Sequence, residues 1–254
     1  MNKQGYSHTF CLPLVTHSTS LWVDGQWQEY VNERLDDKSL ANSIDHNPIS
    51  LTQVPAMKRR RMSPLTKMAL HTSYQSIEQS KQPASNPITI FASQHGELER
   101  TVKIINTLNA SEDISPTDFS LSVHNSALGL YSINSGNTLP ATTIAASVDT
   151  FGFALLEANN LLHRFPNHNI LLTCFDQPPP SPLNLAYSQP KISYSSSLIL
   201  SHKQADQMIN VSFRNNLTQH SDLPLAFEFI HFLHSNLQQK QCVTGKREWA
   251  FSKS

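Results

Sequence analysis

From about residue 57 to residue 176, short β-branched runs alternate with longer stretches whose apolar residues recur every three or four positions. Ser63 is a good N-cap and Pro64 suits a first helical position; Leu65, Met68, Ala69, Thr72 and Ser76 then share one face, predicting a helix that ends near Glu78. The run 88–92 predicts a buried strand, and 97–108 predicts a helix with Leu98, Val102 and Ile105 facing inward. Residues 115–118 read as a turn, Val123-His124-Asn125 opens a short helix through Tyr131, and 136–140 punctuates the chain. A strand over 142–146 leads into a helix capped by Asp149 or Thr150, with Phe151, Ala154, Leu155, Ala158 and Leu162 on one side. Residues 169–175 are apolar at both alternating sets of positions, the pattern of a central strand buried on both faces.

The flanks are less regular. Residues 36–55 are polar and predict a long loop, and the proline-rich stretch 177–182 predicts a stiff connector. Two further strands, 195–200 and 208–213, precede a helix capped by Asp222 with Pro224 just inside. The alternation predicts one α/β domain over 1–254, with a largely parallel sheet, helices on both faces and a C-terminal extension over 177–254.

Composition narrows the partners. Lys+Arg and Asp+Glu both total 19, so no global field draws the chain to nucleic acid or to an anionic membrane. Cys11, Cys174 and Cys242 lack metal or redox spacing and argue for a reducing, cytoplasmic setting. Pro13 interrupts the apolar run from Phe10 to Val15 before it forms a signal-peptide core, and no segment approaches the roughly 18 apolar residues of a spanning helix. His231 and His234 are spaced i, i+3 but no third ligand follows at recognisable spacing, so neither a metal site nor a cofactor is expected.

The junction at 143–152 carries the most chemistry. A strand running straight into a helix exposes amides able to stabilise a thiolate or an oxyanion. Its central residue is Val148, which cannot be acylated. Ser147, His124 and Asp149 make a hydrolase triad on paper, but no glycine flanks Ser147 as a nucleophile elbow requires. The basic run Lys58-Arg59-Arg60-Arg61 reads as a solvated surface or as a dock for an acidic partner.

Four segments resemble, in order, the N-terminal half of β-ketoacyl synthases of the thiolase fold. They are Arg60-Arg61-Met62 before a helix, Ile114-Ser115-Pro116 followed by Val123-His124-Asn125, Gly136 to Pro140, and Ala141 to Ala158. The resemblance covers roughly 57–176 and sets the family's Thr-Ala-Cys on Ala146, Ser147 and Val148, so the catalytic cysteine is absent. The half that carries a complete synthase's two catalytic histidines is too long to fit after Asp176. Residues 122–132, Asp149-Thr150-Phe151-Gly152, 223–229 and Arg247-Glu248-Trp249 resemble the short chain length factors of aryl polyene and type II polyketide pathways.

That resemblance implies a thiolase-like half fold and a non-catalytic subunit. Such a subunit forms a heterodimer with a complete β-ketoacyl synthase, meets an acyl carrier protein transiently and helps set acyl or polyene chain length. It further implies a tunnel gate at Leu98, Thr101, Val102 and Ile105, and a partner-facing strand at Ile170, Leu171, Leu172, Thr173 and Cys174. Arg59, Arg60 and Arg61 are then docking residues for partner or carrier. The alternatives are an independent serine hydrolase or acyltransferase using Ser147, and a purely structural scaffold.

Overall fold

The computed structural model describes residues 8–35, 44–185, 191–215, 221, 223–244 and 247–254. Asp222, expected to cap the last helix, lies outside them. The helices are α1 (Gln28–Asn32), α2 (Ala56–Arg59), α3 (Pro64–Ser80), α4 (Leu98–Asn109), α5 (Pro116–Ser120), α6 (Ser126–Ser135), α7 (Thr150–Arg164) and α8 (Leu225–His234). The strands are β1 (His8–Val23), β2 (Ile88–Ala92), β3 (Ala141–Ile144), β4 (Ile170–Asp176), β5 (Tyr194–Leu200), β6 (Gln207–Asn215), β7 (Gln239–Val243) and β8 (Arg247–Lys253).

All eight strands join one mixed sheet in the order β3-β2-β4-β5-β1-β6-β8-β7. The expectation of a largely parallel sheet is corrected: only β2 pairs in parallel, with β3 and β4, and the other pairings are antiparallel. The connections explain the split. Helices α4 to α6 carry the chain from β2 to β3 and α7 carries it from β3 to β4, the crossovers that parallel pairing needs; beyond β4 no such helix returns the chain to β5.

Residues beyond the proline-rich connector supply β5 to β8 and α8, so they complete the sheet rather than append to it. The N-terminal strand β1 lies deep inside, between β5 and β6. Proline normally argues against such a strand, but the Pro13 carbonyl accepts from the Ser201 amide at 3.1 Å, beyond the end of β5. The side of Pro13 that lacks an N–H therefore faces no strand that needs one.

The two faces carry separate cores. On one, Ile170, Leu172 and Cys174 of β4 meet Phe151, Ala154, Leu155 and Ala158 of α7 and the aromatic residues of α8. On the other, Leu171 and Phe175 meet Leu65, Met68 and Ala69 of α3. Helix α3 forms as expected: the Ser63 hydroxyl accepts from the Thr66 amide at 2.9 Å, and Pro64 occupies the first turn. Small hydroxyl residues let it approach the sheet closely. Ser73 and Thr173 are 2.8 Å apart, Thr173 and Ser197 2.8 Å, and Ser197 donates to Thr72 at 2.9 Å.

Helix α4 departs from expectation. None of its residues is buried, and Ile105 is 48% exposed. Its apolar stripe is real, but the described residues cover it only in part. Residues 115–118 form more than a turn, since Ser115 caps the short helix α5 by accepting from the Asp118 amide.

Candidate functional site

The turn between β3 and α7 carries Val148, the position expected to match the family's nucleophile. Ser147 is exposed and sits at φ 56°, a left-handed conformation costly for a serine. Thr150 ties the turn together, its hydroxyl accepting from the Ala146 amide at 2.9 Å and donating to the Ser147 carbonyl at 2.6 Å. The half-buried Val148 follows Ser147 and leads into the helix.

Asp149, expected as a helix cap, makes no side-chain cap bond. Its buried carboxylate instead accepts from Thr244 in a short hydrogen bond, from Arg247 Nη1 at 2.7 Å and from Trp249 Nε1 at 2.9 Å. Three residues on, Gly152 lies under the Trp249 ring, where an added Cβ would come within 2.2 Å of the indole. Arg247 also covers the Phe153 ring, 4.8 Å from its centroid. The C-terminal hairpin is thereby bolted onto the first turn of α7. The two sequence strings 149–152 and 247–249 thus form one brace, which spacing could not reveal across about a hundred residues.

A second brace holds the far wall. Asp176 ends β4 fully enclosed, and its carboxylate accepts from Ser93 Oγ at 2.8 Å and from the Gln94 and His95 amides at 2.9 and 3.3 Å. His124 Nε2 donates to the Ser93 carbonyl at 2.8 Å and packs on Gly96, whose φ of 55° and tight contact with that ring exclude a side chain. Burial pushes the Asp176 carboxyl up to about 7, against the lowering effect of its hydrogen bonds.

Between the braces lies a cavity of about 50 Å³. Ser147, Val148, Phe151, Asp176, Tyr194 and Glu228 contribute to its wall, together with Cys174 and Cys242. Burial pushes the thiols up, Cys242 to about 12, so neither is a ready thiolate. Sequence reading missed Asp176, Tyr194 and Glu228 because each sits on a separate element.

The paper triad is not assembled. Asp149 faces the C-terminal hairpin, His124 is bound to Ser93, and Ser147 opens to solvent. The histidine pair also separates: His234 Nε2 lies 2.8 Å from Thr19 Oγ1, while His231 Nδ1 accepts from Lys240 at 3.0 Å.

Strand β4 is an interior strand, with both edges taken by β2 and β5, and Ile170, Leu171, Leu172, Thr173 and Cys174 are all buried. The expectation that a partner completes its edge is therefore overturned. The open edge on this side belongs to β3. On the helices between β2 and β3, Ile133 of α6 is 68% exposed and Phe119 of α5 62%, while Leu98, Thr101 and Val102 are only half-buried. Arg59 donates to the Leu51 carbonyl at 2.8 Å. Arg60 and Arg61 line a surface groove of about 570 Å³ with Arg100 and Lys103 and with the carboxylates Glu97, Glu99 and Asp118. Arg100 is paired with Asp118 at 2.6 Å, whereas among the described residues no carboxylate pairs with Arg60 or Arg61.

A β-ketoacyl synthase N-terminal domain model matches residues 27–252. The chain belongs to that family. Within it, the chain is similar to a chain of the complex of the ketosynthase ApeO with its chain length factor ApeC from Xenorhabdus doucetiae. That match has 24% identity and a TM-score of 0.72, covering 97% of this chain and 98% of the other. The ishigamide ketosynthase/chain length factor is similar at 14% identity and a TM-score of 0.59, covering 82% and 68%. No curated protein matches the chain. At these identities the two structures speak for the fold, a ketosynthase-type α/β layer. Among the described residues no helix is long and apolar enough to cross a membrane.

Proposed function

We propose that this chain is a non-catalytic chain length factor that pairs with a complete β-ketoacyl synthase through the open edge of β3 and the exposed faces of α4 to α6. The observation that carries the reading is a strand-to-helix turn, with Ser147 at φ 56°, that holds Val148 in place of a nucleophile and is fed by the edge strand β3. A match that covers nearly all of both chains in a ketosynthase–chain length factor complex supports it, since a complete synthase is longer. The same surface supports the gate. With Ile105 exposed and Leu98, Thr101 and Val102 half-buried, this stripe is free to face a partner's acyl tunnel and limit chain growth sterically.

Arg60 and Arg61, with their groove, dock an acidic acyl carrier protein in this reading, while Arg59 is a structural residue. Aryl polyene or related polyketide chains are the product class, and the cytoplasm is the site of action. Co-expression with a complete synthase of the same gene neighbourhood tests the proposal. A stable heterodimer whose products lengthen with Ile105→Ala and shorten with Ile105→Trp is expected; a chain that stays alone, or an unchanged product profile, counts against it. The exposed, strained Ser147 keeps one second reading in view, an acyl hydrolase. It requires turnover of an acyl ester by the isolated chain, abolished by Ser147→Ala.

A further inference from the structure

The cavity behind the Val148 turn has a chemical preference of its own, independent of any partner subunit. Among the described residues its wall includes two carboxyl groups, Asp176 and Glu228, and no lysine, arginine or histidine. Glu228 is already neutralised: Lys240 Nζ lies 2.5 Å from Oε2, and the Ser221 hydroxyl donates to Oε1 at 2.8 Å. Asp176 has no such cation among the described residues. Its Oδ1 receives three donors, but Oδ2 receives only a share of the Gln94 amide, at 3.0 Å. A buried carboxylate bonded only by neutral donors lacks the countercharge that offsets its desolvation. The neighbouring Tyr194 hydroxyl is similarly underused, its one contact being the Cys174 sulfur at 3.6 Å.

The rest of the wall is hydrocarbon, from Val148, Phe151, Leu223, Pro224 and Leu225. A volume of about 50 Å³ accommodates roughly three or four waters, or a ligand with about that many heavy atoms. We propose that this cavity binds a small primary ammonium compound, its charged end on Asp176 Oδ2 and its short hydrocarbon tail against Val148, Phe151 and Leu225. Carboxylate ligands are repelled by the same wall, and neutral alcohols gain the packing without the charge pairing. Entry is beside Ser147, the exposed residue of the lining.

Three probes with the same three-carbon skeleton separate these terms: n-propylammonium, 1-propanol and propionate. At pH 8 Asp176 is ionised, while burial keeps the protons on Cys174 and Tyr194, the titratable groups beside it on β4 and β5; Glu228, facing the cavity from α8, stays paired with Lys240. Propylammonium should then raise the thermal midpoint saturably, by about 2–4 °C, with a weaker effect of propanol and none of propionate. Asp176→Asn should reduce the ammonium response to that of the alcohol, and Val148→Trp, a substitution on a half-buried turn, should fill the cavity and abolish both responses. A propylammonium effect that does not saturate, an equal effect of propionate, or an ammonium response that survives Val148→Trp would overturn the assignment. The last arm holds even if Asp176→Asn does not fold.

Discussion

The two sides of the turn at Ala145 to Asp149 are built on opposite terms. Inward, Asp149 is sealed by Thr244, Arg247 and Trp249, and Gly152 has no room for a methyl group. Outward, β3 is a sheet edge, and Ile105 of α4, Phe119 of α5 and Ile133 of α6 are exposed. In the proposed reading, these exposed apolar residues are where a partner subunit docks. Substitutions on the inner side should therefore cost stability, and those on the outer side should cost partnership.

The largest effect is expected at Asp149. Asp149→Ala strands Arg247 and the Trp249 N–H, and should lower unfolding free energy by about 3–5 kcal/mol in denaturant titrations. A loss under about 1 kcal/mol would mean that the hairpin is not braced there. Asp176 comes next, through pH. Its folded-state carboxyl is raised to about 7 from an ordinary value of 3.8, so the folded state holds the proton more tightly. Its contribution to stability is full below about pH 4 and is lost as pH rises through about 7, a change on the order of a few kcal/mol. Denaturation midpoints between pH 5 and 8 should fall less steeply in Asp176→Asn, and an identical slope would contradict the assignment. Gly152→Ala, pushing Cβ into the indole, should cost about 1–3 kcal/mol.

On the outer side, Ile133→Asp and Ile105→Asp should change stability by no more than about 0.5 kcal/mol. The same substitutions should weaken heterodimer affinity by more than about tenfold, roughly 1.4 kcal/mol. Equal losses of stability and affinity would erase the contrast between the two sides. Smallest of all, Arg60→Glu with Arg61→Glu should leave the fold unchanged and weaken carrier binding in a salt-dependent way, read by titration at two ionic strengths.

Much of the scaffold was legible because local rules decided it. The Ser63-Pro64 start of α3, the buried run of β2, the apolar face of α7 and the doubly buried β4 all stand where periodicity and capping put them. Three features were not legible. Strand β1 hid behind Pro13 and the polar Thr16-His17-Ser18-Thr19 stretch, where the pairing register shifts. The apolar stripe of α4 shows a face to be covered without saying by what: Leu98 and Val102 are half-buried, and Ile105, expected inward, is exposed. The neighbours of β4 depend on connections that period alone does not encode, so its burial was legible but not that β2 and β5 take both its edges, leaving none for a partner. At the site, sequence located Val148 but not the braces around it, whose members join residues 31 to 100 positions apart.

The central claim is that this chain shapes a reaction whose cysteine belongs to another subunit. Condensation by the purified heterodimer, on carrier-bound substrates, tests it most directly. Activity should vanish when the partner's cysteine is replaced and persist in Val148→Ala. Condensation by this chain alone, or activity that survives loss of the partner's cysteine, would contradict the account.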